Sequence, residues 1–384
     1  MSRYGEKRGL ITIYMWMILM LVLFVATFVG ILYLAGRIGK FDLFGRIAKE
    51  RRIRQVLCLA VVVAGTAVLW MAWGSMNAVV CVLHLIVFWL ICDGIFALIR
   101  KCRKKSFDRY YAGIAAIVFT VAYLGVGWYQ AHHVWKTDYQ VQTDKKVGSL
   151  RVAMFSDSHI GTTFHGEGFA QHVKEIEAQN PDVLLIAGDF VDDDTTKEDM
   201  IRCCEALGEI KTTYGVYYVF GNHDKGYYPP EYRGYDGNDL VAELEKNGVH
   251  VMQDDAELID DRFYVIGRQD KSAEYSGGRK AMDDLVGGLD PDKFSIVLDH
   301  QPQDYATQAE AGVDLVLSGH THGGQLFPLM TIENHTRITP DDRVYGYEKR
   351  DNTNFIVTSG ISDWAIKFKT GCRSEYVIVE IEGK

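Results

Sequence analysis

Four stretches of this 384-residue chain are long and apolar enough to leave water altogether. Residues 10–36, 55–73 and 110–130 carry no charged side chain, and residues 77–99 are apolar apart from His84 and Asp93. About 20 mostly apolar residues carry a helix across a bilayer, because a helix satisfies its own backbone polar groups there. The pattern predicts four transmembrane helices within residues 1–135. The first run is too long for the core of a secretory signal, and no A-x-A-like site follows it, so it is expected to be retained. Residues 136–384 have ordinary globular composition and are expected to fold in water.

Basic residues set the orientation. The loop after the first run holds Arg37, Lys40, Arg46, Lys49, Arg51, Arg52 and Arg54. The loop after the third holds Arg100, Lys101, Arg103, Lys104, Lys105 and Arg109, whereas the second is the uncharged Gly74-Ser75-Met76. Positive loops stay in the cytoplasm, and two crossings separate these two, so both lie inside. The chain after residue 130 then emerges on the extracytoplasmic face of the cell membrane. The N-terminal tail shares that face despite Arg3, Lys7 and Arg8, because two strongly basic loops outweigh it. Ionisable residues inside a membrane are functional candidates, which applies to His84 and Asp93. The plainer reading pairs Asp93 with Arg100 or Lys101.

A polar linker, Ala131 to about Lys136, is expected before the aqueous part. Strands are predicted at 149–156, 183–187, 216–220, 263–267, 294–299, 314–318, 354–359 and 375–381. Helices are predicted at 167–179, 197–211, 238–247 and 303–311. This alternation implies a layered α/β fold. The seven cysteines include no CxxC, which excludes a zinc ribbon or thioredoxin-like motif. No GxGxxG or Walker loop occurs.

One strand end organises the chemistry. Leu184 to Ala187 runs into Gly188-Asp189 and on to Asp192. Gly188 lets the chain turn where a Cβ would obstruct it. Asp189 stands at the carboxyl end of an apolar strand, where open α/β sheets place ligands. Alone, such an Asp would more often be read as a cap of the next helix. Four further strands end in the same chemistry: Ser156-Asp157-Ser158-His159, Gly221-Asn222-His223-Asp224, Asp299-His300-Gln301-Pro302 and Ser318-Gly319-His320-Thr321-His322. Imidazoles and carboxylates without thiolate suit Zn, Fe, Mn or Co. Seven potential ligands exceed the needs of one ion, and a shared carboxylate is the economical way to hold two. Two ions about 3.5–4 Å apart clamp the attacking and leaving oxygens of a phosphoryl displacement.

In this order, D-x-H, G-D-x-x-D, G-N-H-D, an isolated H-x-P and G-H-x-H resemble the calcineurin-like metallophosphoesterases, over about residues 137–384. The longer run Gly319 to Gln325 is similar to their bacterial membrane-linked branch, which includes cell-wall phosphoesterases and UDP-2,3-diacylglucosamine hydrolases. The resemblance implies a double β-sheet sandwich flanked by helices. The expected fold is therefore a four-helix transmembrane region followed by an α/β metallophosphoesterase domain. It also implies two divalent metal ions, Mn first, with Zn, Fe, Co or Mg as the others. One ion would take Asp157, His159, Asp189 and His322; the other would take Asp189, Asn222, His300 and His320. His223 is implied as general acid or transition-state stabiliser, with Asp224 orienting it. Asn222 would also stabilise phosphoryl charge, and Asp192 would support the ligands from behind. The branch's Pro-rich ending is replaced here by Cys372-Arg373-Ser374-Glu375.

The expected activity is hydrolysis of a phosphoester or pyrophosphate bond. A lipid-linked or envelope substrate is expected, because one helix would suffice to anchor an enzyme whose substrate diffuses freely; membrane lipids are the other expected partners. A net charge of -9 and the lack of a basic stripe beside the motifs argue against nucleic acid, and so against a nuclease. A non-catalytic membrane sensor of a phosphorylated ligand is the other rival; no ligand position is missing to favour it. His165, His172, His250 and His335 match no motif and are expected to be surface or packing residues. Asp193, Asp194 and Asp199 read as a solvated loop and helix start. Tyr227, Tyr228, Tyr232 and Tyr235 read equally as a packed loop or an aromatic substrate wall.

Overall fold

The computed structural model describes residues 3–276, 278–336 and 339–384, without the side chains of residues 3–16, 19, 20, 275 and 276. The tail charges Arg3, Lys7 and Arg8 therefore lie outside the described side chains. The chain divides into two compact units, one ending at Gly127 and the other beginning at Trp128.

The first unit contains α1 (Arg3–Ile38), α2 (Asp42–Ile47), α3 (Arg51–Arg103) and most of α4 (Tyr111–His132). Among the described residues three helices are long and apolar enough to cross a membrane: α1 over Leu21–Ile38, then α3 and α4. At 53 residues, α3 would measure about 80 Å if straight, far beyond one hydrocarbon core. It is not straight. Gly74 sits at φ 83° and ψ 169°, outside the helical region. A Cβ on Gly39 would lie 3.6 Å from Cys58, while Arg37 pairs with Asp93. Residues 58 and 93 reach the same turn of α1 because α3 folds back at Gly74. Leu34, Cys58, Val62, Val82, Trp89, Cys92 and Ala112 share the resulting core.

Asp93 does not pair with Arg100 or Lys101 as the sequence suggested. Its carboxylate lies 3.1 Å from Arg37 Nε and accepts hydrogen bonds from Tyr110 Oη at 2.7 Å and Tyr33 Oη at 3.3 Å. The Tyr110 hydroxyl in turn accepts from Trp89 Nε1 at 2.8 Å. A helix hairpin brings distant basic residues as close as those next in sequence, which spacing along one helix cannot reveal. His84 bonds only one turn back, through Nδ1 to the Val80 carbonyl at 2.8 Å, and packs near Tyr123.

The second unit is built on β1 (Trp135–Gln142), β2 (Ser149–Phe155), α5 (Gly166–Glu177), β3 (Val183–Ala187), α6 (Lys197–Glu209), β4 (Val216–Val219), α7 (Gly237–Lys246) and β5 (Val249–Met252). It continues with β6 (Asp255–Ile259), β7 (Phe263–Gly267), α8 (Met282–Val286), β8 (Phe294–Leu298), α9 (Tyr305–Glu310), β9 (Leu315–Ser318), α10 (Leu329–Thr336), β10 (Gly346–Arg350), β11 (Thr353–Val357) and β12 (Glu375–Glu382). One sheet runs β1-β12-β2-β3-β4-β5 and the other β10-β11-β9-β8-β7-β6. Their inner faces meet in a core that includes Val152, Leu185, Tyr217, Val265, Ile296 and Leu317. Helices α5, α6 and α7 cover the outer face of the first sheet, and α8 and α9 that of the second. Both faces of the central strands are thus buried, so these strands read as apolar runs.

The expected linker is already structured. Helix α4 runs to His132, and its last turn belongs to the second unit, where Ser374 N donates to Gln130 O and Ser374 Oγ to Ala131 O. Strand β1 starts at Trp135 and pairs in parallel with β12. Its alternation of half-buried and exposed residues is that of an edge strand, and its polar residues resemble a linker.

Register decides where the chemistry falls. Strands β2, β3 and β4 are parallel, with Phe155 opposite Ile186 and Ala187 opposite Val219. Strands β8, β9 and β11 are parallel in the other sheet. The polar segments after these strands therefore emerge side by side.

If Arg37 holds Asp93 between helices, a double-mutant cycle of Arg37→Gln and Asp93→Asn should show a coupling of about 0.5–2 kcal/mol in the unfolding of the detergent-purified chain. Arg100→Gln should be additive with Asp93→Asn. The reverse pattern would restore the pairing along one helix.

Candidate metal centre

The turn after β3 is the hub. Gly188 has φ 82°, and a Cβ there would lie 2.6 Å from Gly221 N and 2.8 Å from His300 Nδ1. Gly319 after β9 is equally confined, since a Cβ would strike Ser156 and the Asp157 carboxylate. These close approaches let strand ends from both sheets crowd together. Asp157, His159, Asp189, His320 and His322 all adopt positive φ, between 35° and 71°. Such backbone costs on the order of 1–3 kcal/mol per residue and collects at functional sites.

The sequence-predicted residues meet in two groups. Asp157, His159 and His322 form one, and Asp189, His300 and His320 the other; within each group the candidate ligand atoms lie within 4.8 Å of one another. Asp189 faces both. One carboxylate oxygen is 3.7 Å from His159 Nε2 and 3.1 Å from His300 Nε2, and the other accepts the His223 backbone N–H at 2.8 Å. Two of the four imidazoles are oriented from behind. His159 Nδ1 meets Asp192 at 3.1 Å, and His300 Nδ1 donates to Ala187 O at 2.7 Å. Their Nε2 atoms, with Asn222 Oδ1 and His322 Nδ1, are buried without a hydrogen-bond partner. Asn222 Nδ2 is engaged, donating to Tyr227 Oη at 2.8 Å, which aims Oδ1 the other way. Orphaned nitrogen and oxygen donors beside buried carboxylates fit divalent cations.

The electrostatics agree. Burial disfavours charge on His300 and His159, but Asp189 beside the first and Asp192 beside the second raise both above the usual imidazole value. Asp189 is held well below the usual carboxylate range, because His300 and His159 outweigh its burial. Burial takes His322 down to about 3, against the pull of Asp157. An ion bound here displaces protons from His159 and His300, so its affinity weakens as pH falls.

Asp224 does not orient His223. Its carboxylate accepts four backbone N–H groups, from Asp189 at 2.9 Å, Phe190 at 2.8 Å, Val191 at 3.0 Å and Gly221 at 2.6 Å. It fastens the Gly188 turn to the Gly221 turn. Burial and the neighbouring Asp189 push it up to about 6. The His223 ring stands instead between Tyr227 and Trp364, with centroids 5.0 Å away in each case. Burial lowers its pKa, partly offset by Asp189.

Sequence reasoning missed the sixth strand end. After β11, Ile361 N donates to Ser156 O and Ser362 N to Asp157 O, bracing the first ligand loop. Lys369 is fully buried and donates to the carbonyls of Ser359 at 2.7 Å and Ser362 at 3.0 Å, locking that turn. The available signal was an apolar strand entering the polar Thr358-Ser359-Gly360, although without the Asp, Asn or His of the other five ends. Asp299 was also overlooked: Arg268, Arg279 and Gln308 converge on it at 2.7–2.8 Å, securing the strand end that carries His300. His165 Nδ1 lies 2.9 Å from Asp199, His172 Nδ1 2.9 Å from Glu175 and His250 Nδ1 3.2 Å from Glu257. His335 bonds one turn back to Thr331 O. Asp193 accepts Tyr227 N and Tyr228 N, tying the tyrosine loop down, while Tyr235 is buried.

Comparison with known proteins shows a family likeness. The family model for calcineurin-like phosphoesterases matches residues 150–324. An uncharacterized metallophosphoesterase of Campylobacter jejuni is 29% identical over 313 residues, covering 79% of this chain and 79% of that protein. One from Aquifex aeolicus is 31% identical over 250 residues, covering 64% of this chain and 91% of that protein. A bovine transmembrane protein with metallophosphoesterase domain is 30% identical over 240 residues; the match takes in 60% of this chain and about half, 52%, of that protein's length.

Removing the Asp224 carboxylate leaves four buried N–H groups without their acceptor, at about 1–3 kcal/mol for each left unsatisfied. Asp224→Ala should therefore lower the unfolding temperature sharply, and Asp224→Asn, which keeps one acceptor oxygen, by less. A normally stable Asp224→Ala protein with impaired turnover would return Asp224 to the side of His223.

Proposed function

The chain belongs to the calcineurin-like metallophosphoesterases, and on that premise we propose that it is a membrane-anchored hydrolase with a dinuclear metal site. The reading rests on one observation above all: two ligand groups meet at Asp189, with bare imidazole nitrogens and Asn222 Oδ1 left over. One ion would be held by Asp157, His159, Asp189 and His322, and the other by Asp189, Asn222, His300 and His320. The ions supply Lewis acidity and ionise water near neutral pH. Mn is the proposed metal, with Zn, Fe, Co and Mg as the other occupants this donor set accepts.

The chain's own residues do the rest. Asp192 and Ala187 O fix the His159 and His300 rings, so each presents Nε2 inward. Asn222 is held by Tyr227 with its carbonyl oxygen free. The His223 backbone is pinned to Asp189, which leaves its ring at the mouth to give a proton to the departing oxygen. Asp224 serves this arrangement by holding the turns together. The reaction transfers the phosphoryl group to water without a phospho-enzyme intermediate.

The membrane region is proposed to make four crossings within residues 1–135, with the catalytic domain following from residue 136. Support comes from the Gly74 break, which leaves Arg51–Trp73 and Ser75–Arg103 each long enough to span. The basic loops then face the cytoplasm, and the catalytic domain lies on the extracytoplasmic side. A lipid-linked or envelope phosphoester is the proposed substrate class.

The test is metal-dependent hydrolysis of bis(p-nitrophenyl) phosphate by the purified full chain. Asp189→Ala should abolish turnover and metal content together, whereas His223→Ala should keep its metal and lose about 10²–10⁴ in turnover. Full metal content in Asp189→Ala, or metal loss in His223→Ala, would refute the assignments.

Protease added to intact spheroplasts should digest the chain beyond Trp135 while sparing the basic loops. Protection of the catalytic domain would reverse the topology.

A further inference from the structure

Helix α10 presents large apolar side chains among its exposed residues. Glu333 and Asn334 are half-buried with Met330, Asn334 accepting Val344 N at 2.8 Å, while Thr331, His335 and Thr336 are exposed. Leu329 and Ile332 face outward, 43% and 39% exposed, beside Phe327 at 61%. A helix on an aqueous surface ordinarily turns its large apolar residues inward. Trp364 is 50% exposed and stands beside His223, at the mouth of the metal centre.

Hydrogen bonds tie this rim to α4. Phe327 N donates to Thr370 Oγ1 at 3.1 Å, and Thr370 N and Gly371 N donate to Gln325 O at 2.8 and 3.0 Å. Three residues later Ser374 N donates to Gln130 O at 2.9 Å, and Ser374 Oγ to Ala131 O at 2.7 Å. Gln130 and Ala131 lie in the last turn of α4, a helix apolar enough to span a bilayer. One loop, residues 359–374, thus carries Trp364, braces Phe327 and is fastened where the chain would leave the lipid. Phe327, Leu329, Ile332 and Trp364 are exposed. Keeping them in water costs about 25 cal/mol per Å², whereas the bilayer interface takes up Trp, Phe and Leu.

We propose that residues 327–332 together with Trp364 form a membrane-contact surface that seats the mouth of the metal centre in the headgroup layer. An amphiphilic phosphoester would then enter sideways from the leaflet, its phosphate level with the centre and its chains still in lipid. The inference builds on the membrane anchoring proposed above and adds the surface that meets the substrate.

Single cysteines introduced in a Cys102→Ser background test it. Cys102 is the exposed cysteine among the described residues. Full-length chains bearing Phe327→Cys, Ile332→Cys, Val121→Cys or Asp261→Cys are labelled with nitrobenzoxadiazole in phosphatidylcholine–phosphatidylglycerol nanodiscs containing a spin label high on the acyl chain. Val121 lies on the exposed face of α4, and Asp261 precedes β7, at the strand ends away from the centre. Labels at 327 and 332 should be quenched about as strongly as at 121 and shielded from iodide, while the label at 261 should be iodide-accessible and unquenched by lipid. If 327 and 332 behave like 261 while 121 is quenched, the contact surface is wrong and the anchoring stands. If 121 also escapes quenching, the anchoring fails and takes this surface with it. No turnover is read, so failure of the phosphoesterase reading would show separately, in the aryl phosphate assay.

Discussion

A single carboxylate, that of Asp189, is what the strand ends of both sheets are arranged to meet. It is buried with Asp157 and Asp192 close by, so negative charge is concentrated where water cannot screen it. The carboxylates of Asp192 and Asp189 raise His159 and His300 above the usual imidazole value. The surroundings of this charge are built stiffly. Asp224 knots two turns through four N–H groups, Lys369 locks a third, and Asp299 is held by two arginines. Five candidate ligands hold left-handed backbone that only such bracing would sustain. A buried, preorganised and uncompensated anionic site is the electrostatic complement of divalent cations.

The same economy governs the apolar residues. Where the two sheets stack, the side chains that meet between them are apolar, so the chemistry is carried by the segments after the strand ends. Within the second unit, Ser374 holds Gln130 and Ala131 by hydrogen bonds to their carbonyls. The rim carrying Phe327 and Trp364 is held by the same loop that braces Asp157.

Much of this was legible in the sequence because burial writes a clear pattern. Apolar runs such as Leu184–Ala187 could only be buried strands, and the polar residues following them had to share one end of the sheets. The residues that escaped notice obey weaker signals. Strand β1 alternates polar and half-buried residues at a sheet edge and so resembled a linker. Asp93 found Arg37 because α3 folds back at Gly74, a contact set by tertiary structure. Asp224 sits next to His223 in sequence, yet its carboxylate turns to the backbone of the neighbouring strand end, a choice made by four N–H groups no motif displays. Lys369 is anonymous in sequence, since nothing marks one lysine among many as buried.

The account stands or falls on two ions sharing Asp189. The most direct measurement is to strip the purified full chain with chelator, return metal in known equivalents, and follow bound metal and hydrolysis of bis(p-nitrophenyl) phosphate together. Activity should appear only as occupancy approaches two ions per chain. Full activity at one ion per chain, or activity that survives stripping, would contradict the shared-carboxylate centre.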